Sequence, residues 1–141
     1  MKYWWIRIFG RFHVFVYILT NGYLMNRWGK IRFLILLHTG RKSKKNRKTP
    51  LLYLPLNGGY VVVASYAGNA NHPDWFLNLC KNPIAEIIVG SVKKSVDATI
   101  ITGDMRPDIW SKLVSLYSGY NTYQSRTDRE IPLVFLKPIK H

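Results

Sequence analysis

Apolar residues recur along this chain in two rhythms. Near the start, Trp4, Ile8, Phe12, Phe15 and Leu19 fall at helical spacing, with Arg7 and Arg11 together to one side. That pattern predicts an amphipathic helix over residues 1–27, able to pack on the rest of the domain or to lie in a membrane interface. A signal peptide fits poorly, because Arg7, Arg11 and His13 interrupt the apolar region. A spanning helix needs roughly 20 apolar residues, and the uncharged stretch from Val14 to Asn26 is too short.

After Asn21-Gly22 the rhythm shortens to that of strands. Ile31–His38 predicts a buried strand and Thr39–Lys48 a charged loop. Thr49–Leu56 and Tyr60–Ser65 predict a hairpin turned at Asn57-Gly58-Gly59, residues suited to positive φ. Tyr66–Asn71 reads as a loop. His72-Pro73-Asp74 opens a short helix ending at Leu79 or Cys80, stopped by Asn82-Pro83. Ala85–Val89 and Val92–Ile101 read as a second hairpin around Gly90-Ser91. Asp104 is placed to cap a helix from Arg106-Pro107 to Tyr117, Gly119 breaks it, and Tyr120–Arg126 forms a further short turn. Ile131–Leu136 is the last strand. Six strands arranged as consecutive hairpins imply a single α+β, mainly β domain. Its antiparallel sheet is expected to curl into a barrel. No strand is followed by a Gly-rich fingerprint, which removes a doubly wound dinucleotide fold.

Charge changes this picture. The 141 residues carry a formal +14, and residues 1–73 hold twelve basic residues and no acid. An anionic partner for that half follows: nucleic acid, a membrane surface or a phosphorylated ligand. The densest run is Arg41-Lys42-Ser43-Lys44-Lys45-Asn46-Arg47-Lys48, six basic residues in eight. Two strands pin its ends, and Gly40 permits a close turn. Arg can bind phosphate bidentately while Lys adds point charge. The same run could also be a solvated charged loop. Nucleic acid ranks lower, because the aromatics lie away from the loop and no nucleic-acid motif appears. Cys80 is alone, with no disulfide framework, and its setting suggests a buried thiol. The four histidines lack ligand spacing, so no metal site is expected.

Gly40-Arg41-Lys42-Ser43 with Arg47 and Thr49-Pro50-Leu51 resembles the phosphate loop of the deazaflavin (F420)-dependent nitroreductase family, in the split β-barrel flavin-reductase superfamily. Val62–Ser65, His72–Leu79 with Asn82-Pro83, and Leu116–Gln124 with Thr127, Arg129 and Ile131-Pro132 continue the likeness in order. The resemblance implies a six-stranded antiparallel split β-barrel that binds coenzyme F420, an anionic deazaflavin with a phosphate and an oligoglutamate tail; FMN is the alternative cofactor. It implies that Arg41, Lys42, Ser43 and Arg47 hold the phosphate. Thr49, Pro50, Ala64, Ser65, Trp75 and Asn78 would line the ring and its ribityl chain. Tyr117, Tyr120 and Tyr123 would close the acceptor side, with Ser65 a further bonding partner there. The activity implied is hydride transfer to an electron-poor acceptor such as a quinone or nitroaromatic, the cofactor carrying the chemistry. A cytoplasmic place is expected, or a peripheral one on the inner face of the cell membrane. Three departures stand out: Lys44 where the family usually has Gly, Asn46 where Pro is common, and Tyr66 where it often has Lys. A split-barrel binding protein without turnover, and a basic membrane-surface or nucleic-acid binder, are the other readings. The oligomeric state is left open.

Overall fold

The structure is a computed structural model that describes residues 27–28 and 31–140. The amphipathic helix expected over residues 1–27 lies outside the described residues, apart from Arg27. Seven strands are described: β1 Arg27–Trp28, β2 Ile31–Thr39, β3 Asn46–Leu56, β4 Gly59–Val63, β5 Ile84–Val89, β6 Val92–Ile100 and β7 Leu133–Pro138. Three α-helices accompany them: α1 Asp74–Lys81, α2 Arg106–Leu116 and α3 Gly119–Ser125. All pairings are antiparallel. The strand order is β1-β2-β3-β4-β7-β6-β5, and β2 also pairs with β5. That last pairing closes six strands into a barrel, as expected, and leaves the two-residue β1 as an appendage on β2. Closure removes most unpaired edges.

The burial pattern explains the strand sequences. All five residues of β4 are buried. Tyr60 and Val62 face the barrel core with Leu34, Leu36, Ile87, Val96, Val134 and Leu136, while Val61 and Val63 face outward. There Ile109, Leu113 and Tyr120 of α2 and α3 cover them. A strand covered on both faces needs a continuous apolar run, which is what YVVV supplies. α1 packs Trp75, Phe76 and Leu79 onto the inner cluster. The β3–β4 turn is the two-residue Asn57-Gly58 with both φ positive (50° and 78°), the hairpin geometry that Asn-Gly favours.

Several boundaries differ from expectation, each for a physical reason. β3 begins at Asn46, because Asn46, Arg47 and Lys48 pair across to Thr39, His38 and Leu37. Ladder hydrogen bonds override poor strand propensity there. β4 ends at Val63, since the Ala64 N–H donates to Pro132 O rather than to a strand partner. β7 starts only at Leu133, because the Ile131 N–H is taken by Gln124 Oε1. Asp104 is not the helix cap: it lies in a short 3-10 turn, Gly103–Met105, and α2 has no side-chain cap. Arg106 instead ties the helix start to Glu130 at 2.7 Å. Cys80 is exposed, not buried, because α1 turns Trp75, Phe76, Asn78 and Leu79 inward and leaves Cys80 outside.

The basic run makes a tight turn. Gly40 N–H donates to Lys45 O and Lys44 N–H to Gly40 O, both at 2.9 Å, and Lys45 N–H reaches Ser43 Oγ at 3.2 Å. A Cβ at Gly40 would overlap Ser43 Oγ, so close approach is what that glycine supplies. The left-handed position belongs to Lys44, at φ 60°. A side chain costs about 1 kcal/mol there. Lys44→Gly is therefore expected to stabilise the fold, raising Tm by about 2–4 °C. A calorimetric Tm that does not rise would remove the strain.

Candidate functional site

Two polar clusters collect the residues singled out in the sequence. The first fastens the basic turn to α1. The backbone N–H and Nη1 of Arg41 both donate to Asn78 Oδ1, each at 3.0 Å. Two donors identify that atom as the amide oxygen. Asn78 Nδ2 then donates to His38 Nδ1, 3.0 Å away. A ring nitrogen that accepts carries no proton, so His38 is neutral and its Nε2–H donates to Thr49 Oγ1 at 2.9 Å. Burial lowers the His38 pKa to about 4; the charge of Arg47 adds to this and Asp74 opposes it. Arg41 Nη2 also meets Asp74 Oδ1 at 3.4 Å. Arg41, Thr49 and Asn78 are thus brought together through His38, which carries no motif. Its sequence signal is a polar residue ending an otherwise apolar strand.

The remaining loop cations have no such commitment. Lys42, Lys44, Lys45, Arg47 and Lys48 are exposed, and none pairs with a carboxylate among the described residues. Ser43 stands beside them. This donor set suits a multiply charged anion. Pro50 lies in the stretch of β3 bordered by β2 alone, since β4 pairs with β3 only from Leu54 onward. A residue without an N–H is tolerated where no second strand needs it.

The second cluster is built on residues 64–72. Tyr66, Ala67 and Gly68 all have positive φ (46°, 53° and 80°), two of them without being glycine. That strain is held from the segment after α3. Arg129 Nε donates to Asn69 O at 2.9 Å, Nη2 to Ser65 O at 2.9 Å, and Nη1 to Ala64 O at 3.2 Å and His72 Nδ1 at 3.1 Å. Arg126 Nη1 adds a bond to Ala67 O at 3.3 Å. His72 packs at a tilt against Phe76 of α1, with ring centroids 4.9 Å apart. α1 is therefore a common wall for both clusters. Trp75 is buried in the core, edge-on to Phe76.

The three tyrosines meet across the break between α2 and α3. α2 ends at Leu116, so Tyr117 lies between two helices. Its hydroxyl is 2.7 Å from that of Tyr123, and its ring is edge-on to Tyr120 at 5.1 Å. Tyr120 is buried in the second core cluster. Burial, followed by the bond to Tyr117, pushes the Tyr123 hydroxyl up to about 12.

A phosphate-suited turn and a strained loop, joined by α1 on a closed six-stranded barrel, match a known family over nearly the whole chain. The family model for F420H(2)-dependent quinone reductases matches residues 9–138. The chain belongs to this family. F420H(2)-dependent quinone reductase Rv1261c of Mycobacterium tuberculosis (strain ATCC 25618 / H37Rv) is 37 % identical over 131 residues, covering 89 % of this chain and 87 % of that protein. The structure of an F420-H2 dependent reductase, FDR-A, superposes with TM-score 0.68 at 34 % identity over 74 % of this chain and 93 % of that one. A domain-swapped dimer aligns with TM-score 0.71 at 30 % identity, covering 94 % and 97 %. These relatives agree with the barrel expected from the strand pattern and with the split-barrel form that the family resemblance implies. As a member of the quinone reductase family, the chain is an F420-dependent oxidoreductase that passes a hydride from the reduced deazaflavin to an electron-poor acceptor.

Residues that the sequence reading left without a role include His38, Asp74, Gln124 and Arg126. Arg129 stood in the C-terminal likeness with none assigned. Apart from Gln124, they reach partners 33 to 65 positions away, which no local pattern announces.

Proposed function

We propose that the chain holds F420 with its phosphate end on the basic turn and its ring beside loop 64–72, and reduces a quinone there. The observation that carries this reading is the set of loop cations without a carboxylate partner among the described residues. Lys42, Ser43 and Arg47 bind the phosphate. Arg41 shares its guanidinium between that anion and the Asn78–Asp74 contact, and Asn78 holds the turn in shape. Thr49, Pro50 and Ser65 border the ring and ribityl chain, while Ala64 and Trp75 are buried in the inner cluster and back that wall from within. The family match supports F420 rather than FMN.

When bound, the reduced cofactor supplies the hydride. The protein supplies orientation, exclusion of water and a proton. One phenol of the Tyr117–Tyr123 pair donates to the other, which leaves a single O–H free for the acceptor oxygen. Tyr123 keeps its proton at neutral pH, so it can act as hydrogen-bond donor or acid. Tyr120 forms an apolar wall behind the pair, and Ser65 Oγ is a second donor. Nitroaromatics share the planar, electron-poor character of quinones and are the expected accidental substrates. The amphipathic pattern of residues 1–27 supports a peripheral place at the membrane, where apolar quinones reside. No α-helix among the described residues is long and apolar enough to cross a bilayer.

Mixing the chain with reduced F420 and menadione tests this directly. The expected result is a rise in oxidised-cofactor absorbance, with kcat about tenfold lower in Tyr123→Phe. F420 binding without oxidation would make the chain a carrier. DNA binding with a steep salt dependence, and none to F420, would return it to the nucleic-acid binders.

A further inference from the structure

Loop 64–72 contains three successive left-handed residues, two of them bearing side chains. Each such residue costs about 1–2 kcal/mol, so the loop needs external restraint to keep this shape. Arg129 is the principal source of it. Its three guanidinium nitrogens make four hydrogen bonds, at 2.9–3.2 Å, to Ala64 O, Ser65 O, Asn69 O and His72 Nδ1. These acceptors bracket the left-handed segment on both sides. The planar fork of an arginine is suited to such a set, and the single ammonium of a lysine is not.

Arg129 is itself held. Gln124 of α3 donates from Nε2 to Arg129 O at 2.8 Å and accepts the Ile131 N–H at 3.0 Å on Oε1. The side chain is partly buried, yet no carboxylate among the described residues pairs with it. A partly buried cation serving only backbone carbonyls and one imidazole is a costly choice if its purpose were bulk stability. It is economical if its purpose is to fix one loop conformation. The same segment carries Tyr117, Tyr120 and Tyr123, and Gly68 is so close to it that a Cβ there would come within 2.6 Å of Tyr123 O.

We propose that Arg129 is a positioning residue: it locks loop 64–72 in its strained shape and so sets Ser65 against the cofactor ring, in register with α3. This rests on the ring-side reading of Ser65 given above.

Arg129→Gln, Arg129→Lys and Arg129→Ala in the full chain provide the test. Amide hydrogen exchange, read without cofactor, is expected to rise at least about tenfold over residues 65–72 in Arg129→Gln, and to stay unchanged in the 40–45 turn. F420 affinity and kcat with menadione should each fall by about tenfold or more, with Arg129→Lys intermediate. In Arg129→Ala, millimolar guanidinium should restore part of kcat where equal sodium chloride does not. Unchanged exchange over residues 65–72, or a rise spread evenly over all strands, overturns the clamp. Selective loosening with F420 affinity and kcat intact overturns the positioning role while the clamp stands. A wild-type chain that binds no F420 removes the functional reading and the positioning role together. The exchange result distinguishes that failure, because it needs no cofactor.

Discussion

Replacing Lys42 and Arg47 together by alanine is expected to weaken F420 binding by about 100-fold or more and leave Tm within about 1 °C. Both side chains are exposed and neither has a carboxylate partner among the described residues, so the fold loses little when they go. A charge-assisted hydrogen bond contributes about 1.5–3 kcal/mol, and two of them account for that loss of affinity. The remaining binding should depend less steeply on salt, since fewer ionic contacts are screened. Arg41→Ala should differ in kind. Its Nη1 bond to Asn78 and its contact with Asp74 organise the turn, so its loss lowers both affinity and Tm. Fluorescence titration of F420 with a parallel melting curve separates the two variants. Equal affinity of the double variant and the wild-type chain would take the phosphate away from this loop.

How much of this was written locally in the sequence depends on which residues are considered. Asn57-Gly58 announces its own turn, because the two residues that need positive φ are the two that tolerate it. The YVVV run announces a strand buried on both faces. The extent of the basic turn was not local information: Arg47 and Lys48 become strand because His38 and Leu37 stand opposite them. The break before α3, by contrast, is legible: Gly119 marks it in the sequence, and the chain leaves helical geometry at Tyr117, where φ is −148°. The family likeness named most of the candidate site by position. It did not show that Asn78 holds the basic turn, where the likeness placed it beside the ring and ribityl chain, or that Arg129 braces the loop. Those facts arise from pairings across the fold, which spacing along the chain does not encode.

The His38–Asn78 relay makes acid stability a further measurable property. Asn78 Oδ1 receives two donors, and its Nδ2 requires an acceptor at His38 Nδ1. Protonating His38 turns that acceptor into a donor and sets two N–H groups against each other in a buried place. Arg47 disfavours the charged ring, and Asp74 favours it only weakly. The folded-state pKa, about 4, lies below the ordinary 6.5, so the unfolded chain takes up this proton first as pH falls. The contribution of the neutral ring is fully present above about pH 6.5 and is lost between there and about pH 4, to the extent of up to about 3 kcal/mol. In a chain of this size that corresponds to several degrees of Tm. His38→Gln offers an amide oxygen to Asn78 that does not titrate here. Its Tm should fall less steeply over that window than the wild type, with the carboxylates common to both cancelling in the difference. Asn78→Ala should cost about 2–4 kcal/mol above about pH 6.5, because it leaves the His38 ring and the Arg41 N–H without their partner. It should also flatten the same pH profile, since the acceptor demand on His38 is gone. Parallel Tm profiles for the wild type and His38→Gln between pH 4 and 6.5 would show that His38 titrates without consequence. The turn would then be fixed by Asp74 and the β2–β3 ladder alone.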